Sequence, residues 1–141
     1  MVIGGHGDTT MIPLTSIAKC NNQLLTDILS EDKVKKIASD TMVGGATLTK
    51  LLGTSAWYAP GASVSYLVNA IVNDTKEVLP CSVLLEGEYD VQDICIGVPV
   101  KIGKNGFEEV VQLDLSNKEL EMFQNSVSAV KETNSALDGL I

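Results

Sequence analysis

The residue types near the beginning of the chain could carry out proton transfer. The segment GGHGDT places His6, the only histidine among 141 residues, between Gly5 and Gly7, and Asp8 follows. An imidazole gains or loses a proton near neutral pH, which suits it to general acid–base chemistry. The flanking glycines leave room for a substrate and permit a positive φ. The alternative is a surface or core histidine with no catalytic role.

The cysteines indicate neither a metal site nor a disulfide framework. Cys20, Cys81 and Cys95 are widely spaced and odd in number, and no CxxC motif occurs. A single histidine does not complete any of the common zinc ligand sets with them. We therefore expect no metal, and three reduced, mostly buried thiols in a cytoplasmic protein.

Composition and charge argue against two classes of partner. The chain is 45% hydrophobic and 20% charged, which is typical of a globular domain, and its net charge is −8. Such an acidic domain does not neutralise phosphates, so we expect no nucleic acid and no membrane as a partner. No signal peptide is evident, and no apolar stretch approaches the ~18 residues of a spanning helix. All ten basic residues are lysines, so the planar, bidentate carboxylate clamp of arginine is absent.

The elements that must position His6 begin with a short strand. The letters MVI predict a buried strand that runs directly into the histidine loop. Residues 13–30 are mixed and predict extended chain followed by a short helix. A long helix follows, with Ser30 as its N-cap and Gly53 as its stop. The Gly44–Gly45 pair inside it costs about 1 kcal/mol per residue relative to alanine, which a close backbone approach or a kink would explain.

The second half of the chain predicts a helix, three strands and a final helix. The helix is expected at about 62–73, and the strands at 81–89, 93–103 and 107–115. Short turns between the strands predict an antiparallel meander. Ser116 and Glu119 form a capping box for the last helix, which Gly139 ends. Its apolar stripe packs on the sheet of the domain itself or on a partner, and we favour the sheet.

Two segments resemble the lactate/malate dehydrogenase family. GGHGDTTMIPLTSIA closely resembles the catalytic-histidine segment of that family, in the form of its bacterial malate enzymes. LLGTSAWYAPGASV resembles the segment that lines the substrate pocket and the nicotinamide side. The resemblance covers essentially all 141 residues but only the second half of the family's chain. It implies an α+β fold, a twisted antiparallel sheet packed by long helices, in a substrate-binding, catalytic C-terminal domain (1–141) without the dinucleotide-binding domain.

The resemblance also implies an activity and its residues. It implies hydride transfer between malate or oxaloacetate and NAD, with His6 as the proton acceptor. Gly5, Gly7 and Ser55 (with Thr54 as the alternative to Ser55) are then expected beside the substrate. The missing half would carry the cofactor-binding glycine loop and the carboxylate-binding arginines. We therefore expect the fragment alone to lack turnover and to bind NAD weakly.

Other implications concern the loop and the assembly. Met11 is expected either to wall the nicotinamide pocket or to fill the core. Asp8 is expected to fix the loop through hydrogen bonds to nearby backbone N–H groups, with a direct role in the chemistry as the alternative. Family members form dimers or tetramers, so a homo-oligomer is expected. The face left without the dinucleotide-binding domain is expected to be partly apolar and to self-associate.

Two alternatives to a malate enzyme stay open. The first is a domain specific for lactate or another 2-hydroxy acid, because the residues that decide between these substrates lie mostly in the missing half. The second, from another class, is a non-catalytic binding or oligomerisation module. Such a module would cover the His6 loop with its own residues, whereas an open loop favours the catalytic domain.

Overall fold

The computed structural model describes residues 1–137, so the helix stop predicted at Gly139 lies outside the described residues. A short 3₁₀ turn separates the fifth and sixth strands. In chain order the elements are β1 (Val2–Gly4), β2 (Met11–Pro13), β3 (Lys19–Cys20), β4 (Gln23–Leu24), α1 (Leu25–Ile28), α2 (Glu31–Leu52), α3 (Tyr58–Val72), β5 (Val78–Glu86), the 3₁₀ turn Glu88–Asp90, β6 (Gln92–Gly103), β7 (Gly106–Val110) and α4 (Asn117–Ser135).

The long strand β6 organises the main sheet. β5 pairs antiparallel along one edge of it and β7 pairs antiparallel near its end, which confirms the predicted meander. β7 stops at Val110, five residues before the predicted end. Val111 still donates its N–H to the carbonyl of Pro99 (2.8 Å), but proline has no N–H to return, so the ladder ends.

The β1–β2 hairpin joins this sheet, which the sequence did not predict. β1 pairs antiparallel with β2 and, through Gly4 opposite Gly97, with β6. A Cβ added to Gly97 would lie 2.7 Å from the carbonyl oxygen of Gly4. The two backbones therefore approach more closely than any side chain would allow, and this contact fixes where the His6 loop leaves the sheet.

The long helix α2 confirms the prediction at both ends. Ser30 occupies the N-cap, and Gly53 ends the helix with a left-handed φ of 69°. A Cβ on Gly44 or Gly45 would meet nothing within 4 Å, so no backbone of residues 1–137 approaches this pair. α3 begins at Tyr58, four residues before the predicted position. Pro60 is compatible with this earlier start because it lies in the first turn, where a missing N–H breaks no helical bond.

The core lies between β6 and α4. Phe123 and Val127 of α4 are buried with the inward residues of β6, which confirms that the stripe packs on the domain's own sheet. Tyr89 packs on Phe123 with ring centroids 5.1 Å apart. No helix within residues 1–137 combines the length and the apolar character that crossing a membrane requires.

The expectation of mostly buried thiols was wrong. Cys20 and Cys95 are exposed, and only Cys81 is partly buried. Cys95 lies between the buried residues Ile94 and Ile96 of β6. Because successive side chains of a strand alternate between faces, the Cys95 side chain points to the outer face of the sheet.

Candidate active site

His6 lies on a tight loop between β1 and β2. The carbonyl of Gly7 accepts hydrogen bonds from the backbone N–H groups of Thr10 (3.0 Å) and Met11 (2.9 Å). The Thr10 hydroxyl accepts the N–H of Gly7 at 2.9 Å. The imidazole itself is exposed, while the backbone before it is partly buried. The loop therefore presents His6 to the outside from a hydrogen-bonded base.

The glycines before His6 are required by close packing. Gly4 has a φ of +92°, and a Cβ on it would lie 2.5 Å from the carbonyl oxygen of Thr10. A Cβ on Gly5 would lie 2.6 Å from the Thr10 hydroxyl. Packing within the domain therefore excludes any larger residue at both positions. The spacing of the glycines in the sequence did not reveal this reason for their presence.

A cleft of about 570 Å³ opens beside the imidazole. Its walls are β1 and the loop, Met11, the middle of β5 and β6, and Val130 of α4. Two thiols, those of Cys81 and Cys95, also lie in this wall. Burial raises the pKa of the Cys81 thiol, which disfavours the nucleophilic thiolate. Among residues 1–137, no group of three or more histidine, cysteine or acidic side chains could hold a metal ion. Within this wall His6 is the side chain best suited to proton transfer.

The structure brings some of the predicted site residues together and not others. Gly5, His6 and Met11 line the cleft, whereas Gly7 and Ser55 do not. Ser55 is exposed in the segment between α2 and α3, where its carbonyl accepts the N–H of Trp57 at 3.0 Å. The wall of the cleft is thus formed by the sheet and α4 rather than by the α2–α3 connection.

Asp8 does not have the predicted structural role. Within the described part of the chain its carboxylate makes no hydrogen bond, and the residue is exposed. The hydroxyl of Thr10 takes its place, since it accepts the N–H of Gly7 and donates to the carbonyl of Gly7 (3.2 Å). A hydroxyl can both accept and donate, which an ionised carboxylate cannot do.

Ser126 of α4 contacts the loop and was missed by the sequence reasoning. It is 4% exposed. Its hydroxyl accepts the N–H of Gly5 (2.9 Å) and donates to the carbonyl of Thr10 (2.8 Å). A signal was present, because Ser126 interrupts the apolar stripe between Phe123 and Val127, where a buried hydroxyl needs a partner.

Glu119 links α4 to the segment that follows β2. Its carboxylate, 8% exposed, accepts the hydroxyl of Ser16 at 2.6 Å, and the N–H (3.0 Å) and hydroxyl (2.6 Å) of Ser116. Burial acts to raise the pKa of Glu119, but the hydrogen bonds from Ser116 and Ser16 outweigh it, so the pKa lies below its usual value. The predicted capping box is confirmed and extends to a long-range contact.

A family profile described as lactate/malate dehydrogenase, alpha/beta C-terminal domain, matches residues 1–137. The chain belongs to the lactate/malate dehydrogenase family. This confirms the family and the fold class that the GHGDT segment suggested. The match includes the β1–β2 loop, α4 and the sheet between them, so the cleft beside His6 is built entirely from the C-terminal domain of the dehydrogenase family.

Individual dehydrogenases agree with the profile. A malate dehydrogenase of Flavobacterium johnsoniae is 60% identical over 141 residues, which is 100% of this chain and 45% of that protein. The solved malate dehydrogenase of Salinibacter ruber matches with a TM-score of 0.93 and 37% identity, over 99% of this chain and 46% of that one. A lactate dehydrogenase of Eimeria maxima, solved with NADH and oxamate, matches with a TM-score of 0.92 and 33% identity, over 99% of this chain and 45% of that one. The chain thus spans about half the length of these relatives.

Proposed function

We propose that this chain is the substrate-binding and catalytic domain of a malate dehydrogenase and that His6 is its proton acceptor. The observation that carries the proposal is the exposed His6 on a hydrogen-bonded, glycine-walled loop at the edge of a cleft, in a chain of this family. Relatives that match the whole chain at 60% identity are named malate dehydrogenases.

The chemistry needs a base at this position. Oxidation of a 2-hydroxy acid removes a hydride from C2 and a proton from the hydroxyl oxygen, which leaves a 2-oxo acid. NAD, when bound, supplies the acceptor for the hydride. His6, as a neutral imidazole, takes the hydroxyl proton and becomes imidazolium; in the reverse direction it returns that proton to the oxygen of the reduced carbonyl.

The residues that line the cleft can contact only part of the cofactor and part of the substrate. Met11 is half-buried in the wall of the cleft beside His6 and offers an apolar surface suited to a nicotinamide ring. No arginine occurs in the chain and no lysine lines this cleft, so neither phosphates nor a dicarboxylate find a cation there. We propose that a dinucleotide-binding domain supplies both functions, and that this chain alone turns over no substrate and binds NAD weakly.

Malate is favoured over lactate by the relatives and not by the fold. Solved malate and lactate enzymes superpose almost equally well, with TM-scores of 0.93 and 0.92. The 60% identity belongs to malate enzymes, whereas the lactate enzyme of Eimeria maxima is 33% identical. Three placements stay predictions: Gly5 and Gly7 beside the substrate, and Ser55 beside it once the site is complete. A cytoplasmic location also stays a prediction.

The surface of α2 and α3 supports the need for a partner. Four large apolar residues there are between 68% and 92% exposed: Leu51, Trp57, Tyr58 and Val72. Large apolar side chains left exposed along two neighbouring segments of a domain are typical of a surface that a partner covers. We propose that the dinucleotide-binding domain or a second subunit covers this surface. A non-catalytic module is disfavoured because the His6 loop is open rather than covered by the chain's own residues.

The proposal is tested by oxidation of NADH in the presence of oxaloacetate. The chain is assayed alone and after mixing with, or fusion to, the remaining half of the Flavobacterium johnsoniae relative. We expect no turnover by the chain alone, turnover by the fusion with oxaloacetate, and far less turnover with pyruvate. Activity of the chain alone would contradict the need for a second domain, and an inactive but folded fusion would contradict the proposed function.

A further inference from the structure

The loop that carries His6 is fastened at both ends by one side chain from a distant helix. The hydroxyl of Ser126 accepts the N–H of Gly5 at 2.9 Å and donates to the carbonyl of Thr10 at 2.8 Å. Gly5 immediately precedes His6, and Thr10 is the last residue of the loop before β2. We propose that Ser126 is a positioning residue for His6, which it orients by closing the loop into one geometry.

The hydroxyl is buried and bonded to both ends of the loop. Its proton is committed to the Thr10 carbonyl and one lone pair to the Gly5 N–H, and the residue is 4% exposed. The ideal Cβ position on Gly4 lies 2.9 Å from the Ser126 oxygen, so the backbone passes directly beside it. The side chain is therefore a fixed bridge between the two ends of the loop and not a nucleophile.

The helix that carries Ser126 is itself held firmly. Phe123 and Val127 on either side of it are buried in the core. Seven residues earlier, two helical turns along the same face, Glu119 accepts the hydroxyl of Ser16 at 2.6 Å. Since α4 is thus bonded to the segment after β2 as well as to the loop before it, its position sets that of His6.

A purely structural role would affect stability alone, and two measurements separate it from positioning. The first needs no activity. In the chain itself we measure hydrogen exchange of the Gly5 amide and the imidazole resonance of His6, which is unambiguous because the chain has one histidine. Ser126→Ala is compared with Ser128→Ala, whose exposed hydroxyl on the same helix bonds only the carbonyl of Gln124 (2.9 Å).

We expect Ser126→Ala to raise the exchange rate of the Gly5 amide at least about tenfold and to shift or broaden the His6 resonance, because the loop loses the bridge between its ends. Ser128→Ala should change neither. Ser126→Thr, which keeps the hydroxyl, should restore both signals. Ser126→Cys, of similar size but a weak donor, provides the same comparison if the alanine variant does not fold. Equal behaviour of Ser126→Ala and Ser128→Ala would overturn the proposal.

The second measurement rests on the proposed function and uses the fused two-domain enzyme. Ser126→Ala should lower kcat for oxaloacetate about 10- to 100-fold, with KM for both substrates unchanged within about twofold, as expected when a catalytic group is misplaced by less than ~1 Å. A variant with normal kcat in an active fusion would overturn the positioning role. An inactive unsubstituted fusion would count against the proposed function only, because the hydrogen exchange and the His6 resonance still decide the positioning role.

Discussion

The close contact between Gly4 and Gly97 predicts that Gly97→Ala lowers the free energy of unfolding. Gly97 does not occupy the left-handed region, so the change acts through steric contact alone. Its new Cβ would lie 2.7 Å from the Gly4 carbonyl oxygen, whereas ordinary contact begins at 3.4 Å. The strand β1 would have to move by roughly the difference, about 0.7 Å, to relieve the overlap.

That movement is costly because β1 is fixed on its other side. Ile3 is 2% exposed in the core. Gly5, the residue after Gly4, is hydrogen-bonded to Ser126. Overpacking of this kind costs about 1–3 kcal/mol, partly offset by the ~0.4–1 kcal/mol that replacing glycine gains in the unfolded chain. We therefore expect the free energy of unfolding to fall by about 1–2 kcal/mol.

The assay is urea unfolding of the chain followed by circular dichroism, with kcat of the fused enzyme as a second readout. Gly44→Ala is the matched control, because a Cβ there meets nothing within 4 Å and alanine favours a helix by about 1 kcal/mol. The control should gain stability where Gly97→Ala loses it. If Gly97→Ala were as stable as the parent chain, the close approach of β1 and β6 would be refuted.

Two further substitutions test buried hydrogen bonds. Tyr89→Phe should lower stability by about 1–3 kcal/mol, because the hydroxyl accepts the N–H of Leu113 (2.8 Å) and donates to the Val111 carbonyl (3.2 Å); Tyr58→Phe, 92% exposed, should change it by less than ~0.5 kcal/mol in the same urea titration. Glu119→Gln should weaken the domain at neutral pH. The lowered pKa of Glu119 stabilises the fold above its unfolded pKa, so the difference between the parent and Glu119→Gln should shrink as pH falls below the usual value of 4.5. A difference that grew with acidity would contradict this role.

Local signals predicted the elements around the site well. The strand before His6, the helix between Ser30 and Gly53 and the capping box of Ser116 and Glu119 all follow from residues close together in sequence. Other predicted boundaries were wrong: β5 spans Val78–Glu86 rather than 81–89, α3 begins at Tyr58 rather than at 62, and β7 ends at Val110 rather than at 115. Pro60 was compatible with the first turn of α3, and Pro99 ended the pairing of β7.

Long-range contacts could not be predicted from one sequence. The bridge from Ser126 to Gly5 joins residues 121 positions apart, and the contact of Gly4 with Gly97 depends on which strands become neighbours. Nothing in the local pattern distinguishes Ser126 from the exposed Ser128 except its place in the apolar stripe. The sequence motif therefore identifies His6, whereas the long-range contacts determine the geometry of its loop.

The most direct test of the account is the effect of His6→Asn on kcat/KM for malate oxidation in the fused two-domain enzyme. His6 is exposed, so the substitution should leave the unfolding curve of the chain unchanged. We predict a loss of about 10²–10⁴-fold in kcat/KM, the usual contribution of a positioned general base. Activity within a few-fold of the unsubstituted fusion would contradict the assignment of His6 as the proton acceptor.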